Sequence, residues 1–285
     1  MRISDVLCSP AARALLTLSC IALASLPLDA RAEEPGRQRF GSGGLRDLDT
    51  DSRASFDLHI PLGDGFSSVV PELSGQIGLG PAAAGVSWTF SYFDFDTWDD
   101  ETYFGAVDLF VKGRYCFEGE RGSRTCIGGQ LDLAISTDEV DEGEISSFIA
   151  GCSTYLSWHR FGSESAGLVP ALVFDVQYGW LFLQGHLGVD VVVPLGERDR
   201  RDTEALLIFG STLGVNALEL ISAGLGFRGL ATLTRSKDDS AFALDLLLQG
   251  HFGFIHPSFG ISIPLDGDTR VFFDLFVSLG ATITF

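Results

Sequence analysis

Beyond residue 32 the chain has no run of roughly 18 uncharged apolar residues, so no helix there can cross a bilayer. Basic side chains are also scarce. Nineteen Lys and Arg stand against 38 Asp and Glu, for a formal net charge of −19 over 285 residues. No basic stripe interrupts this acidic excess, which would repel a phosphate backbone and excludes nucleic acid as a partner. The five cysteines follow no zinc spacing, and none of the acidic runs matches an EF-hand loop. No metal site and no cofactor are expected. No stretch after the N-terminus sustains a helical period. What is abundant is apolar surface and glycine: 46% of residues are hydrophobic and 34 are Gly. Either a large soluble core or lipid must cover that surface.

The first 32 residues read as a secretory signal. Arg2 and Arg13 precede an apolar stretch from Ala14 to Leu26, and Ala30-Arg31-Ala32 supplies the small-x-small cleavage pattern. The alternative of an uncleaved anchor is disfavoured, because the stretch is shorter than the roughly 20 residues a bilayer needs. Lipoprotein processing at Cys20 is disfavoured by Thr17, where a Leu is expected. Loss of 1–32 removes three Arg and two Asp and leaves the remainder more acidic still. Residues 33–68 are then expected to form a periplasmic leader, with 54–60 as a short plug or extra strand outside the wall. The main domain is expected over 69–285.

That domain is a series of alternating segments. The period-two pattern predicts strands near 69–79, 85–95, 102–116, 126–136, 146–158, 167–178, 180–193, 203–215, 217–230, 240–254, 256–264 and 270–285. Most exceed the strand length of about 5–6 residues usual in soluble proteins and reach the 9–11 that cross a bilayer at a tilt. The last is the clearest. Val271, Phe273, Leu275, Val277, Leu279, Ala281, Ile283 and Phe285 form one face, and Phe272, Asp274, Phe276, Ser278, Gly280, Thr282 and Thr284 the other. This closing segment resembles that of bacterial outer-membrane β-barrels, which end on an aromatic after alternating apolar residues. The resemblance implies that Leu279, Ala281, Ile283 and Phe285 act as the signal read by the barrel-insertion machinery. It also implies the outer membrane of a Gram-negative bacterium as location, with lipid and lipopolysaccharide as surroundings. The expected fold is all-β, a closed antiparallel up-and-down transmembrane barrel of about twelve strands. Closure gives every backbone N–H and C=O a partner where lipid offers none. A soluble sandwich or lipocalin-like barrel is the alternative; shorter strands and a polar outer face would mark it.

Short breaks near Gly179, Asn216 and His256 alternate with longer polar ones. With the chain end in the periplasm, 117–125, 159–166, 194–202, 231–239 and 265–269 are expected outside. The acidic stretch 137–145 fits this poorly, being long for a periplasmic turn. The acidic loops, including Asp94 to Glu101, Asp138 to Glu144, and Asp266 with Asp268, are expected to be plain solvated loops, with divalent cations as candidate partners. Cys116 and Cys126 flank a polar hairpin loop and share the inward phase, so a disulfide pinning an external loop is expected. Cys152 falls on the apolar phase and reads as free and lipid-facing.

Assigning the more apolar set of each strand to lipid leaves a lumen set: Glu72, Asp108, Lys112, Arg114, Asp132, Asp175, His186, Asp190, Arg228, Asp245, His251 and Asp274. A charge facing lipid near the midplane costs up to about 2–4 kcal/mol for Lys or Arg, so a register slip would be expensive. His186 with Asp190 and His251 with Asp245 suggest acid–base pairs, but along a strand they stand roughly 13 and 20 Å apart. The sequence matches no motif of outer-membrane proteases, phospholipases or lipid A deacylases, and it offers no Ser with an evident His partner. The expectation is therefore no catalytic residue and no enzyme, but a narrow passive channel for small solutes. It should prefer cations, because acids outnumber bases in the lumen set. Apolar lumen positions such as Phe104, Phe110, Val173 and Phe276 give a mixed lining suited to amphipathic or aromatic solutes, and the segment around His256-Pro257 and Ile263-Pro264-Leu265-Asp266-Gly267 resembles barrels for uptake of aromatic compounds. The alternatives are a non-conducting barrel acting through its loops and, after it, a barrel enzyme acting on lipid or peptide.

Overall fold

The computed structural model describes residues 47–63, 66–95, 101–119, 123–135, 165–195, 203–217, 220–234, 240–266 and 273–285. Among them are twelve strands: β1 (Arg53–Gly63), β2 (Phe66–Gly78), β3 (Ala82–Phe95), β4 (Glu101–Glu118), β5 (Ser123–Ile135), β6 (Ser165–Tyr178), β7 (Leu181–Pro194), β8 (Glu204–Ala217), β9 (Ile221–Thr232), β10 (Ser240–Gly250), β11 (Ile255–Pro264) and β12 (Leu275–Thr284). Each pairs antiparallel with its sequence neighbours, and β1 pairs with β12 to close the ring. Closure leaves no sheet edge, as a bilayer-spanning sheet requires.

The number of strands agrees with the pattern, but their membership differs. The wall begins at Arg53, not at Val69. The segment expected to stay outside the wall is β1, held between β2 and β12 in registers such as Phe56↔Leu73 and Phe56↔Ala281. It carries the same alternation as its neighbours, and β12 needs a partner on its free side. Gly280 makes room for it: a Cβ there would collide with the Asp57 carboxylate. The expected strand at 146–158 lies outside the described residues, as does Cys152. The ring closes without that strand, because β5 pairs directly with β6 from Ser123↔Tyr178 to Ile135↔Ala166.

Because β5 pairs directly with β6, the connections before β6 change sides relative to the expectation. The connections 79–81, 119–122, 179–180, 218–220 and 251–254 share the end where β12 finishes. We call this the short-turn end. The hairpin loop carrying Cys116 and Cys126 therefore sits at the same end as the C-terminus, not among the long loops. Conversely 136–164, with the acidic stretch that fitted poorly, connects strand ends on the opposite side. Tight reversal at the short-turn end is local chemistry. Gly179 opens the two-residue turn between β6 and β7 with φ of 59°, a conformation that costs a side-chain-bearing residue but not glycine.

The wall has two unlike faces. Leu109, Val111, Leu131, Leu133, Leu172, Leu187, Leu225, Leu246 and Leu279 are exposed on the outside, in alternation with buried neighbours. Between the ends of β4, β5, β6, β7, β9 and β10, every charged side chain belongs to the inward set. The outer side is thus an apolar belt, the reverse of a soluble barrel's exterior.

Candidate functional site in the barrel lumen

Inward-facing side chains of all twelve strands meet in the lumen, and most of the charged ones are buried. Glu72, Asp108, Lys112, Asp132, His186, Asp190, Arg228 and Asp245 are buried, while Arg114 and Asp175 are half-buried. His251 is half-buried just past the end of β10. Asp274 departs from the expected lumen position. It is exposed immediately before β12, and its backbone N–H donates to the Leu62 carbonyl at 2.9 Å. The alternation of the closing segment runs back through Asp274, but strand pairing stops at Leu275.

Midway along the barrel the wall neutralises its own charges. Arg228 on β9 places Nε 3.0 Å from Asp245 Oδ2 on β10 and donates from Nη2 to Ser262 Oγ on β11 at 2.7 Å. The register explains the trio: Asp245 stands opposite Gly226 on one side and Ser262 on the other, one inward step from Arg228. Gly226 leaves the space, since a Cβ there would press on Asp245 and Thr212. His59 on β1 faces Glu72 on β2 at 3.9 Å, and Gln130 donates to Asp132 at 2.7 Å. Val169, Ile208 and Leu230 pack together on the same interior, the first two with no exposure at all. The hydroxyls of Ser68, Ser87, Thr89, Ser91 and Thr212 are buried without a hydrogen-bond partner among the described residues.

The short-turn mouth is organised differently. Residues 47–52, just before β1, turn into the barrel as a short strap across the mouth. Thr50 Oγ1 donates to the Gly80 carbonyl at 2.7 Å, and Gly78 N–H donates to Ser52 Oγ at 2.9 Å. Gln76 Nε2 donates to the carbonyls of Asp49 at 3.0 Å and Asp51 at 2.6 Å, and Arg114 Nη1 to that of Leu48 at 3.1 Å. Asp47 is the strap's electrostatic anchor. Its two carboxylate oxygens meet Arg53 Nη2 at 2.6 Å and Lys112 Nζ at 2.8 Å. Burial pushes the Asp47 carboxyl up, but Arg53 and Lys112 outweigh that and hold it well below the usual carboxylate range. Leu48 sits in an apolar nest made by Val173 and the Cys116–Cys126 disulfide. The two cysteines are directly opposed in the β4–β5 register, with Cα atoms 4.1 Å apart. A cavity beside the strap is lined by Arg114, Arg124, Asp175, Gln177 and Gln184 together with Asp47, Leu48 and Asp49.

A second network at the same end was not legible in the sequence. Ser222 Oγ lies 2.7 Å from His251 Nε2, and His251 Nδ1 lies 3.3 Å from His256 Nδ1. His256 Nε2 reaches Thr284 Oγ1 at 3.4 Å. The one available signal was register: Ser222 pairs with Gln249, two residues before His251 on the same face. The Ser–His distance suits a nucleophile and its base. However, Ser222 has no solvent exposure and gives its proton to Asn216 Oδ1 at 2.6 Å. His251 Nε2 must then donate to Ser222, so it has no lone pair there to accept the hydroxyl proton. The network ties the β8–β9 and β10–β11 turns to the end of β12.

No family model matches the sequence, and no curated protein does. Solved structures do match in fold. A NanC porin superimposes with a TM-score of 0.51 at 8% identity, covering 81% of this chain and all of that one. The KdgM porin in complex with disordered oligogalacturonate gives 0.46 at 9% identity, over 81% of this chain and 99% of that one. The β domain of the Bordetella autotransporter BrkA gives 0.46 at 11% identity, over 83% of this chain and all of that one. The fold is that of the Gram-negative outer-membrane β-barrels. The apolar belt is the surface that such a barrel presents to lipid.

Proposed function

We propose that this chain is an outer-membrane barrel that works as a narrow channel for small solutes and is shut in the conformation described. The observation that carries this reading is the inversion of the two faces: a closed ring with hydrocarbon-compatible side chains outside and charged, hydroxyl and amide groups inside. Buried hydroxyls without a partner among the described residues, as on β3, suit a path along which water or a polar solute passes. The short-turn end is assigned to the periplasm, the long loops to the exterior. Acids outnumber bases among the buried lumen charges, so cations are the preferred ions through the middle. Ser222, buried and proton-donating to Asn216, argues against hydrolysis, and no catalytic role is assigned.

The test is reconstitution in a planar bilayer. Discrete conductance steps with a cation-selective reversal potential are expected from barrel whose gel migration changes on boiling. Correctly folded barrel that gives no steps under any voltage would overturn the channel reading. The second reading, a non-conducting barrel acting through its loops, is favoured by one observation. Asp108, Asp132, Val169 and Ile208 have no exposure, so the waist is filled.

A further inference from the structure

We propose that Lys112, Arg114 and Arg53 form a binding site for a carboxylate at the periplasmic mouth, and that the chain's own Asp47 occupies it as a tethered competitor. The Lys112 side chain is only 3% exposed. A buried ammonium must be neutralised or it destabilises the fold. Its cross-strand neighbours are Ala83 on β3 and Gln130 on β5, and Arg114 stands opposite Gly128. None of these carries a charge. The carboxylate on Lys112 comes instead from the strap, a segment outside the strand ladder. The wall thus presents a cationic seat shaped for an anion brought from off the wall.

The seat is also shaped sterically. A Cβ at Gly128 would run into the Gly113 carbonyl of the neighbouring strand and into Leu48, so the missing side chain lets the strap lie against the wall. Arg53 reaches the same Asp47 carboxylate from the foot of β1, and Arg114 grips the adjacent Leu48 carbonyl while lying 4.0 Å from Asp49. Two cations on one carboxylate and a guanidinium on the neighbouring carbonyl make a recognition pattern for a carboxylate bearing a nearby polar oxygen. The flanking cavity brings Arg114 and Arg124 beside the strap but has room for about one water molecule, so a solute takes the seat only by moving the strap. A solute that wins the seat releases residues 47–52 from the mouth. Binding does not require that the anion then traverse the acidic waist. The site stands without the channel reading; only its effect on permeation rests on that reading.

An internal competitor lowers apparent affinity by the fraction of molecules in which it is displaced. Succinate is the probe, with uncharged succinamide as control, titrated by calorimetry into the folded full-length barrel in detergent. Asp47→Asn is expected to bind succinate about tenfold more tightly than the wild type. Leu48→Ser, which keeps every charge but weakens the strap's apolar anchor, is expected to shift affinity in the same direction. Lys112→Gln is expected to lose binding in either background, and succinamide to bind none of them. Equal succinate affinity in wild type, Asp47→Asn and Leu48→Ser, or binding that survives Lys112→Gln, overturns the proposal. Planar-bilayer recording of Asp47→Asn separates the two readings. Succinate binding without conductance sinks the channel and keeps the site. Conductance without succinate binding does the reverse.

Discussion

Lys112 and Arg228 are both cations buried on the inner face of the wall, yet they are neutralised in different ways. Arg228 is met by Asp245 and Ser262, which the ladder holds one and two strands away. Lys112 is met by Asp47, which belongs to a strap beside the ladder. A partner fixed by sheet register cannot leave without breaking backbone hydrogen bonds. A partner on a strap can leave at the cost of its own few contacts. The same electrostatic demand therefore yields a static waist and a displaceable mouth.

The sharpest way to break this comparison is to remove the anion in each place. Asp245→Ala leaves Arg228 buried without its carboxylate and is expected to destabilise the barrel by about 3 kcal/mol. Denaturant unfolding in detergent checks it, and an unchanged midpoint would mean the waist relaxes as readily as the mouth. Loss of the disulfide comes next. Cys126→Ser opens a link spanning ten residues and removes the floor on which Leu48 sits, with an expected cost of about 2–3 kcal/mol. Reductant should lower the melting temperature of the wild type and leave that of the variant unmoved. Asp47→Asn should cost less than about 1 kcal/mol, because the freed strap lets water reach Lys112. Its signature is faster protease cleavage near residues 47–52 with little change in melting temperature.

The smallest effect is in pH. The folded Asp47 carboxyl lies below its ordinary value. Its stabilising contribution is complete above the unfolded value near 3.8 and declines only as pH falls from there toward the folded one. Protease resistance of the strap should therefore be flat from neutral pH down to about 4 and fall only in stronger acid. Release at pH 5–6 would show that Asp47 is not held by its cations.

Much of the fold was legible because a strand reports its faces every second residue. The alternation in β7, with Leu181, Leu183 and Leu187 against Gln184, His186 and Asp190, separates an exposed set from a buried one. The expected count of twelve strands matched although β1 was left out of the wall; the strand expected at 146–158 lies outside the described residues, and β5 pairs directly with β6. Alternation shows that a segment is extended, not which neighbour completes it. The same ambiguity put the disulfide hairpin at the wrong end, since the side of every loop before β6 depends on strand parity. Asp274 shows a further limit, because a pattern can continue past the residue where pairing stops. The Ser222–His251–His256 network joins the start of β9, the β10–β11 connection and the start of β11, and only the register brings them together.

Sequence alone determined that the chain forms long two-faced strands with an apolar outer side, because the pleat assigns each residue to a face whatever its neighbours. The tertiary structure decided the rest. It set which strand closes the ring against β12, which end holds the disulfide, and which carboxylate answers each buried cation. Those outcomes depend on pairing between distant segments, and a two-residue period carries no information about distance.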